Sequence, residues 1–168
     1  SAQNDWLVGQ NRRRGGGDAA LTTLTALALR GQTWTLAHVG DTRTWLVRPG
    51  PHGPELSLLS QDHAWDHPDQ RSRLTRAVGL DEGLRIDFAQ GDVRLGDTFV
   101  LTTDGVHGRI KPQRLAELAV WQSADMAARA LVEAALGAGG QDNATALVIR
   151  VTGLDTRRLD DEVAQGRQ

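Results

Sequence analysis

The 168 residues have ordinary globular composition, 39% apolar and 24% charged, and are enough to bury a single core. A net charge of -2 gives no polyelectrolyte signature and so implies no nucleic-acid partner, while the absence of cysteine excludes disulfides, thiolate metal sites and a cysteine nucleophile. No stretch approaches the ~18 consecutive apolar residues of a membrane helix and no signal peptide opens the chain, so a cytoplasmic setting without a membrane partner is the default reading.

In chain order, residues 2–10 contain Trp6, Leu7 and Val8 and read as the end of a helix, broken by Gly15, Gly16 and Gly17. The one basic run, Arg12, Arg13 and Arg14, reads as solvated loop. Residues 20–29 put Leu21, Thr23, Thr25, Leu27 and Leu29 on one parity, and the β-branched threonines favour a strand. Gly31-Gln32 signals a tight turn. Further strands are predicted at 33–39, 42–47 and 55–59, which together predict a four-stranded antiparallel meander. Residues 61–70 are irregular and rich in Asp and His, and 71–78 carries Leu74, Ala77 and Val78 at helical spacing.

Strands follow at 84–89 and, after the turn pair Gly96-Asp97, at 98–102; Asp104-Gly105 stops the second. Residues 112–120 and 124–136 are amphipathic helices, the latter ended by Gly137, Gly139 and Gly140, and 144–151 is a last strand. Strands, then helices, then a strand predict an α+β fold: an antiparallel β-sandwich flanked by helices. The layout divides into 1–18, a remnant of helix and loop, 19–152, the domain, and 153–168, a polar tail or linker. Ser1 at the start and Met126 as the sole methionine make both ends read as cut.

Asp41, Asp104 and Asp142 each stand where an apolar strand meets a tight turn. Strand ends of one sheet lie side by side, so the three carboxylates can converge at one rim. There their mutual repulsion calls for a divalent cation, and all-oxygen ligation points to Mg²⁺ or Mn²⁺. Taken singly, each has a plainer reading: Asp beside Gly is ordinary turn chemistry, Asp104 suits a helix N-cap, and Asp142-Asn143 suits an Asx-turn.

Five segments occur together and in order: Val39-Gly40-Asp41-Thr42-Arg43, Leu58-Leu59-Ser60-Gln61-Asp62-His63, Leu74-Thr75-Arg76-Ala77-Val78-Gly79, Thr103-Asp104-Gly105, and Gly140-Gln141-Asp142-Asn143-Ala144-Thr145. In this order they resemble the type 2C (PPM) metal-dependent protein serine/threonine phosphatases, over about residues 19–151. The resemblance implies a two-layer β-sandwich with a dinuclear Mg²⁺ or Mn²⁺ centre at one edge. Asp104 and Asp142 match the family's C-terminal ligands, and Asp41 matches the carboxylate that, with the one at Asp104, holds a third, weaker metal. The implied activity is hydrolysis of phosphoserine or phosphothreonine in a phosphoprotein by metal-activated water. No phosphate-binding residue is assigned.

The family's N-terminal acidic ligand, phosphate-binding arginine and bridging Asp-Gly have no counterpart before Ala19. The chain is therefore expected to be the C-terminal two-thirds of such a domain, a weak or inactive catalyst alone, with exposed strand edges that invite dimerisation. The spelling of residues 103–107 resembles bacterial members fused to a protein kinase, which implies a kinase domain in the same full-length polypeptide. The alternative is a catalytically degenerate module that binds phosphoproteins or regulatory partners.

His38 reads as a packed or hydrogen-bonded core group and His107 as packing. His63 reads as part of a structural connection, with a metal cluster of His63, His67, Asp62, Asp66 and Asp69 as the lesser option. Arg43 and Arg76 read as ion-pair residues more than phosphate binders. Trp34, Trp45, Trp65 and Trp121 read as core or interface mass.

Overall fold

Two antiparallel sheets face each other, and helices cover the outer face of the second. The computed structural model describes residues 1–15, 19–65, 73–120 and 123–154. The elements are α1 (Ala2–Arg13), β1 (Leu24–Arg30), β2 (Thr33–Val39), β3 (Arg43–Gly50), β4 (Gly53–Leu58), β5 (Asp87–Asp92), β6 (Thr98–Thr102), α2 (Asp104–His107), α3 (Pro112–Ala119), α4 (Ala124–Gly137) and β7 (Ala146–Arg150). One sheet has the order β1-β2-β5 and the other β4-β3-β6-β7.

The α+β sandwich matches the expectation, but the four-stranded meander does not form. β1 and β2 pair with each other, whereas β3 pairs with β4 and β6 in the opposite sheet. The cause lies in β3, where Thr44, Trp45, Leu46 and Val47 are all buried, so both faces need cover. Leu46 packs with Trp34, Leu36, Phe99 and Val151 between the sheets, while Trp45 and Val47 pack with Val106, Leu115 and Leu131 under the helices. Trp34 meets Phe99 edge-to-face at 6.4 Å between ring centroids, in the geometry aromatic pairs prefer. The crossing between sheets turns at Gly40, whose φ of +114° suits glycine; a Cβ there would lie 2.3 Å from Thr23 Cγ2.

Three other expectations are corrected. Residues 73–78 hold no helix: Ala64 bridges Leu74 and Thr22 bridges Val78, so the apolar spacing there serves isolated extended contacts. The strand read at 84–89 starts instead at Asp87, and the first strand starts at Leu24, because Thr22 is engaged by Val78 through paired backbone bonds of 2.9 and 3.1 Å. At Asp104-Gly105 the chain does not merely stop but winds the single turn α2, with Thr103 at its N-cap.

α1 docks through polar groups. Asn4 and Asn11 are buried: Asn4 accepts from Gly79 N–H and donates to the Asp81 carbonyl, and Asn11 donates to the Gly79 and Ala20 carbonyls. Trp6 lies exposed, as does Trp65, while Trp34 and Trp45 are buried as read. Among the described residues β1, β5, β4 and β7 are the terminal strands of their sheets, with Phe88 71% and Leu147 51% exposed. Among the described residues no helix is long and apolar enough to cross a membrane. Gly16, Gly17, Asp66, His67, Asp69, Trp121 and the 155–168 tail lie outside the described residues.

Candidate metal centre

Strand pairing sets the site. Arg43 is opposite Thr102 in the β3–β6 ladder, and Thr102 is opposite Ala146 in the β6–β7 ladder. Asp41 lies two residues before Arg43, Asp104 two after Thr102, and Asp142 four before Ala146, so antiparallel geometry brings all three segments to one end of the second sheet. The Thr103 side chain fastens two of them: its Oγ1 accepts from Thr145 N–H at 3.0 Å, while its backbone N–H donates to the Thr145 carbonyl at 3.1 Å. Gly105 then abuts the Asn143 carbonyl so closely that no side chain fits between them.

Burial first, and the neighbouring Asp104 charge second, push the Asp41 carboxyl above its ordinary value. A like charge nearby in a partly desolvated rim raises the cost of ionising Asp41. Asp104 Oδ1 accepts from Gly105 N–H at 2.8 Å and Asp142 Oδ1 from Asn143 N–H at 2.7 Å, each to the next residue rather than as the N-cap or Asx-turn of the plainer reading, since Thr103 takes the N-cap position of α2. Each carboxylate keeps a second oxygen outside these bonds. Among the described residues no group of three or more His, Cys, Asp or Glu side chains is gathered closely enough to hold a metal ion. What fits a hard cation here is the all-oxygen donor set gathered from three strand ends.

Cationic and imidazole groups border the rim. Arg43 donates through Nε and Nη2 to both oxygens of Asp62, at 2.8–3.2 Å, and stands 5.9 Å from the Trp45 ring centre. Arg76 is paired in the same way with Asp87. Both arginines are thus held in ion pairs, as read. His38 is buried and hydrogen-bonded. His63 is buried between Gly40 and Asp87, and His107 bonds the Thr102 hydroxyl at 3.1 Å. The roles of Asp87 and Thr103 escaped the sequence reading, since their partners are remote in the chain.

These imidazoles make stability depend on pH. Burial, then neighbouring His63, lowers the His38 pKa below its ordinary 6.5; burial, then the Arg43 charge, does the same at His107. The unfolded chain therefore takes up these protons at a higher pH than the folded one. Their contribution is complete above about 6.5 and is lost as pH falls from there toward the folded-state values. The Asp87 carboxyl, held low by Arg76 and then by His63, adds a further loss only in acid below its ordinary 3.8. Urea midpoints are expected to fall on crossing 6.5 downward, and to fall less in His107→Phe; a flat midpoint across that window contradicts the assignment.

Compared with known proteins, the chain matches no family model. It is 31% identical over 150 residues to the serine/threonine protein phosphatase PstP of Mycobacterium tuberculosis, an alignment covering 80% of this chain and 28% of that protein. Against the protein phosphatase PhpP of Streptococcus pneumoniae it is 29% identical over 146 residues, 76% of this chain and 57% of that one. Among solved structures, PppA, a regulatory component of the type VI secretion system in Pseudomonas aeruginosa, superposes with a TM-score of 0.80 at 31% identity, over 88% of this chain and 64% of that chain. The catalytic domain of PstP in complex with two manganese ions superposes with a TM-score of 0.73 at 26% identity, over 86% and 65%.

Proposed function

The chain belongs to the PPM/PP2C family of bacterial serine/threonine protein phosphatases and spans part of its relatives' length; from that premise we propose that it serves Mn²⁺- or Mg²⁺-dependent hydrolysis of phosphoserine and phosphothreonine in proteins. Asp41, Asp104 and Asp142 would hold the ions. The observation that supports this reading is the strand register that brings the Asp41, Asp104 and Asp142 segments to one end of the second sheet, where a bound cation would offset the clustering of negative charge. Such ions, when bound, supply an acidified water and neutralise phosphoryl charge. The chain's own residues supply the frame. Thr103 and Gly105 hold the Asp104 turn against the Asp142 segment, and the Arg43–Asp62 pair keeps a guanidinium fixed beside the carboxylates.

Because the relatives extend beyond the matched share, turnover is to be measured in the protein that contains this chain, with p-nitrophenyl phosphate and Mn²⁺. Asp104→Asn is expected to lower that rate by more than the roughly 100-fold that loss of an outer-shell partner costs. Unchanged turnover would remove Asp104 from the site. Tight phosphopeptide binding without Mn²⁺-dependent turnover in the unsubstituted protein would support a non-hydrolytic binding module instead.

A further inference from the structure

Gly40 is clamped on both sides of its backbone by two buried imidazoles. Its N–H donates to His63 Nδ1 at 3.1 Å. Its carbonyl accepts from His38 Nε2 at 3.0 Å and from the His63 backbone N–H at 2.8 Å. Donor and acceptor identities then assign both rings. A backbone N–H can only donate, so His63 Nδ1 is bare and its proton sits on Nε2, 2.9 Å from Asp87 Oδ2. Carbonyls can only accept, so His38 carries its proton on Nε2, which faces both Gly40 O and Gln61 O, while its Nδ1 accepts from the Thr25 hydroxyl at 2.9 Å.

Asp87, in turn, is gripped by Arg76 through Nη1 at 2.6 Å and Nη2 at 3.3 Å. The chain of contacts Arg76–Asp87–His63–Gly40 runs from the open side of the first sheet to the residue before Asp41. A group whose rotamer, tautomer and partner are all fixed transmits that order to whatever it holds.

We infer that His63, oriented by Asp87 and Arg76, is a positioning residue: it fixes the Gly40–Asp41 turn and so aims the Asp41 carboxylate at Asp104. This rests on the reading of Asp41 as part of a cation site, but the clamp is measurable without any cation. In the metal-free chain, long-range ¹H–¹⁵N correlation is expected to show His63 and His38 both protonated on Nε2. A His63 ring protonated on Nδ1 cannot accept from Gly40 and overturns the inference without any variant.

His63→Asn places an amide oxygen near the former Nδ1 acceptor, whereas His63→Gln keeps a donor toward Asp87 and loses that acceptor. Exchange of the Gly40 amide is expected to be about tenfold faster in His63→Gln, and near the original rate in His63→Asn. With Mn²⁺ added, paramagnetic broadening at Asp41 should need about 10- to 100-fold more metal in His63→Gln, while broadening at Asn143 keeps its original dependence. Unaltered Gly40 exchange together with unaltered Asp41 broadening in His63→Gln refutes the positioning role. Absence of broadening at Asp41 in the unsubstituted chain refutes the cation reading instead, with Gly40 exchange still deciding on the clamp.

Discussion

Gly105→Ala is expected to cost about 3 kcal/mol and to displace the 143–144 segment from α2. The new Cβ would stand 2.2 Å from the Asn143 carbonyl oxygen, 2.9 Å from its carbon and 3.3 Å from Ala144 Cα. These are backbone atoms, so no side-chain rotation relieves the overlap, and either α2 or the 143–144 segment must move. Both are tied to Thr103, whose Oγ1 also accepts from Thr145 N–H, so movement breaks those bonds as well. Gly137→Ala is the matched control: its Cβ meets nothing within 4 Å, and an end-of-helix alanine is expected to be neutral or to stabilise by up to about 1 kcal/mol. Urea unfolding of the two variants, with amide shifts at Asn143 and Thr145, checks both statements. Equal stability of the two would mean that α2 does not seat on Asn143.

The second large effect lies away from the rim. Asp97 is fully buried at the turn into β6; its Oδ1 accepts from Arg48 Nε at 2.8 Å, and its Oδ2 accepts from Arg48 Nη2 and from Arg94 N–H, both at 2.8 Å. Three charge-assisted bonds satisfy a carboxylate that water cannot reach. Asp97→Ala strips them at once, leaving the Arg48 guanidinium and the Arg94 amide without that acceptor. The expected loss is roughly 3 kcal/mol, the low end of the range for removing one partner of a buried ion pair, because Arg48 stays partly exposed and still donates to the Asp92 carbonyl. Removing both partners in Arg48→Ala/Asp97→Ala is expected to cost less than the sum of the single changes, because neither charge is then stranded. A loss below about 1 kcal/mol for Asp97→Ala, the scale of surface pairs, would show that the pair is solvated.

Turn pairs at Gly31-Gln32 and Gly96-Asp97 were enough to place the starts of β2 (Thr33–Val39) and β6 (Thr98–Thr102), and a 3.6-residue apolar stripe located α4. The turn signals at Gly31-Gln32 and Gly40-Asp41 look equivalent in the chain, yet the first closes a hairpin and the second carries the chain into the other sheet. Nothing within a few residues distinguishes them. The difference comes from layers on both sides of β3 and from Thr23 filling the space beside Gly40.

The candidate site divides along the same line. Asp41, Asp104 and Asp142 are candidates by motif context alone, while the α+β sandwich was recognisable from the order of strands and helices. The partners that hold the frame were not recognisable: Asn4 meets Gly79, Arg48 meets Asp97, and Asp87 meets His63, at separations of 75, 49 and 24 residues. The sequence by itself determined where most strands and the two longer C-terminal helices run, though not the extended 73–78 segment or the single turn α2, because side-chain periodicity and turn chemistry act over a few residues. Only the tertiary structure decided which strands are neighbours and which buried polar groups satisfy one another, because those choices follow from close packing and the cost of an unpaired buried group, both of which join distant parts of the chain.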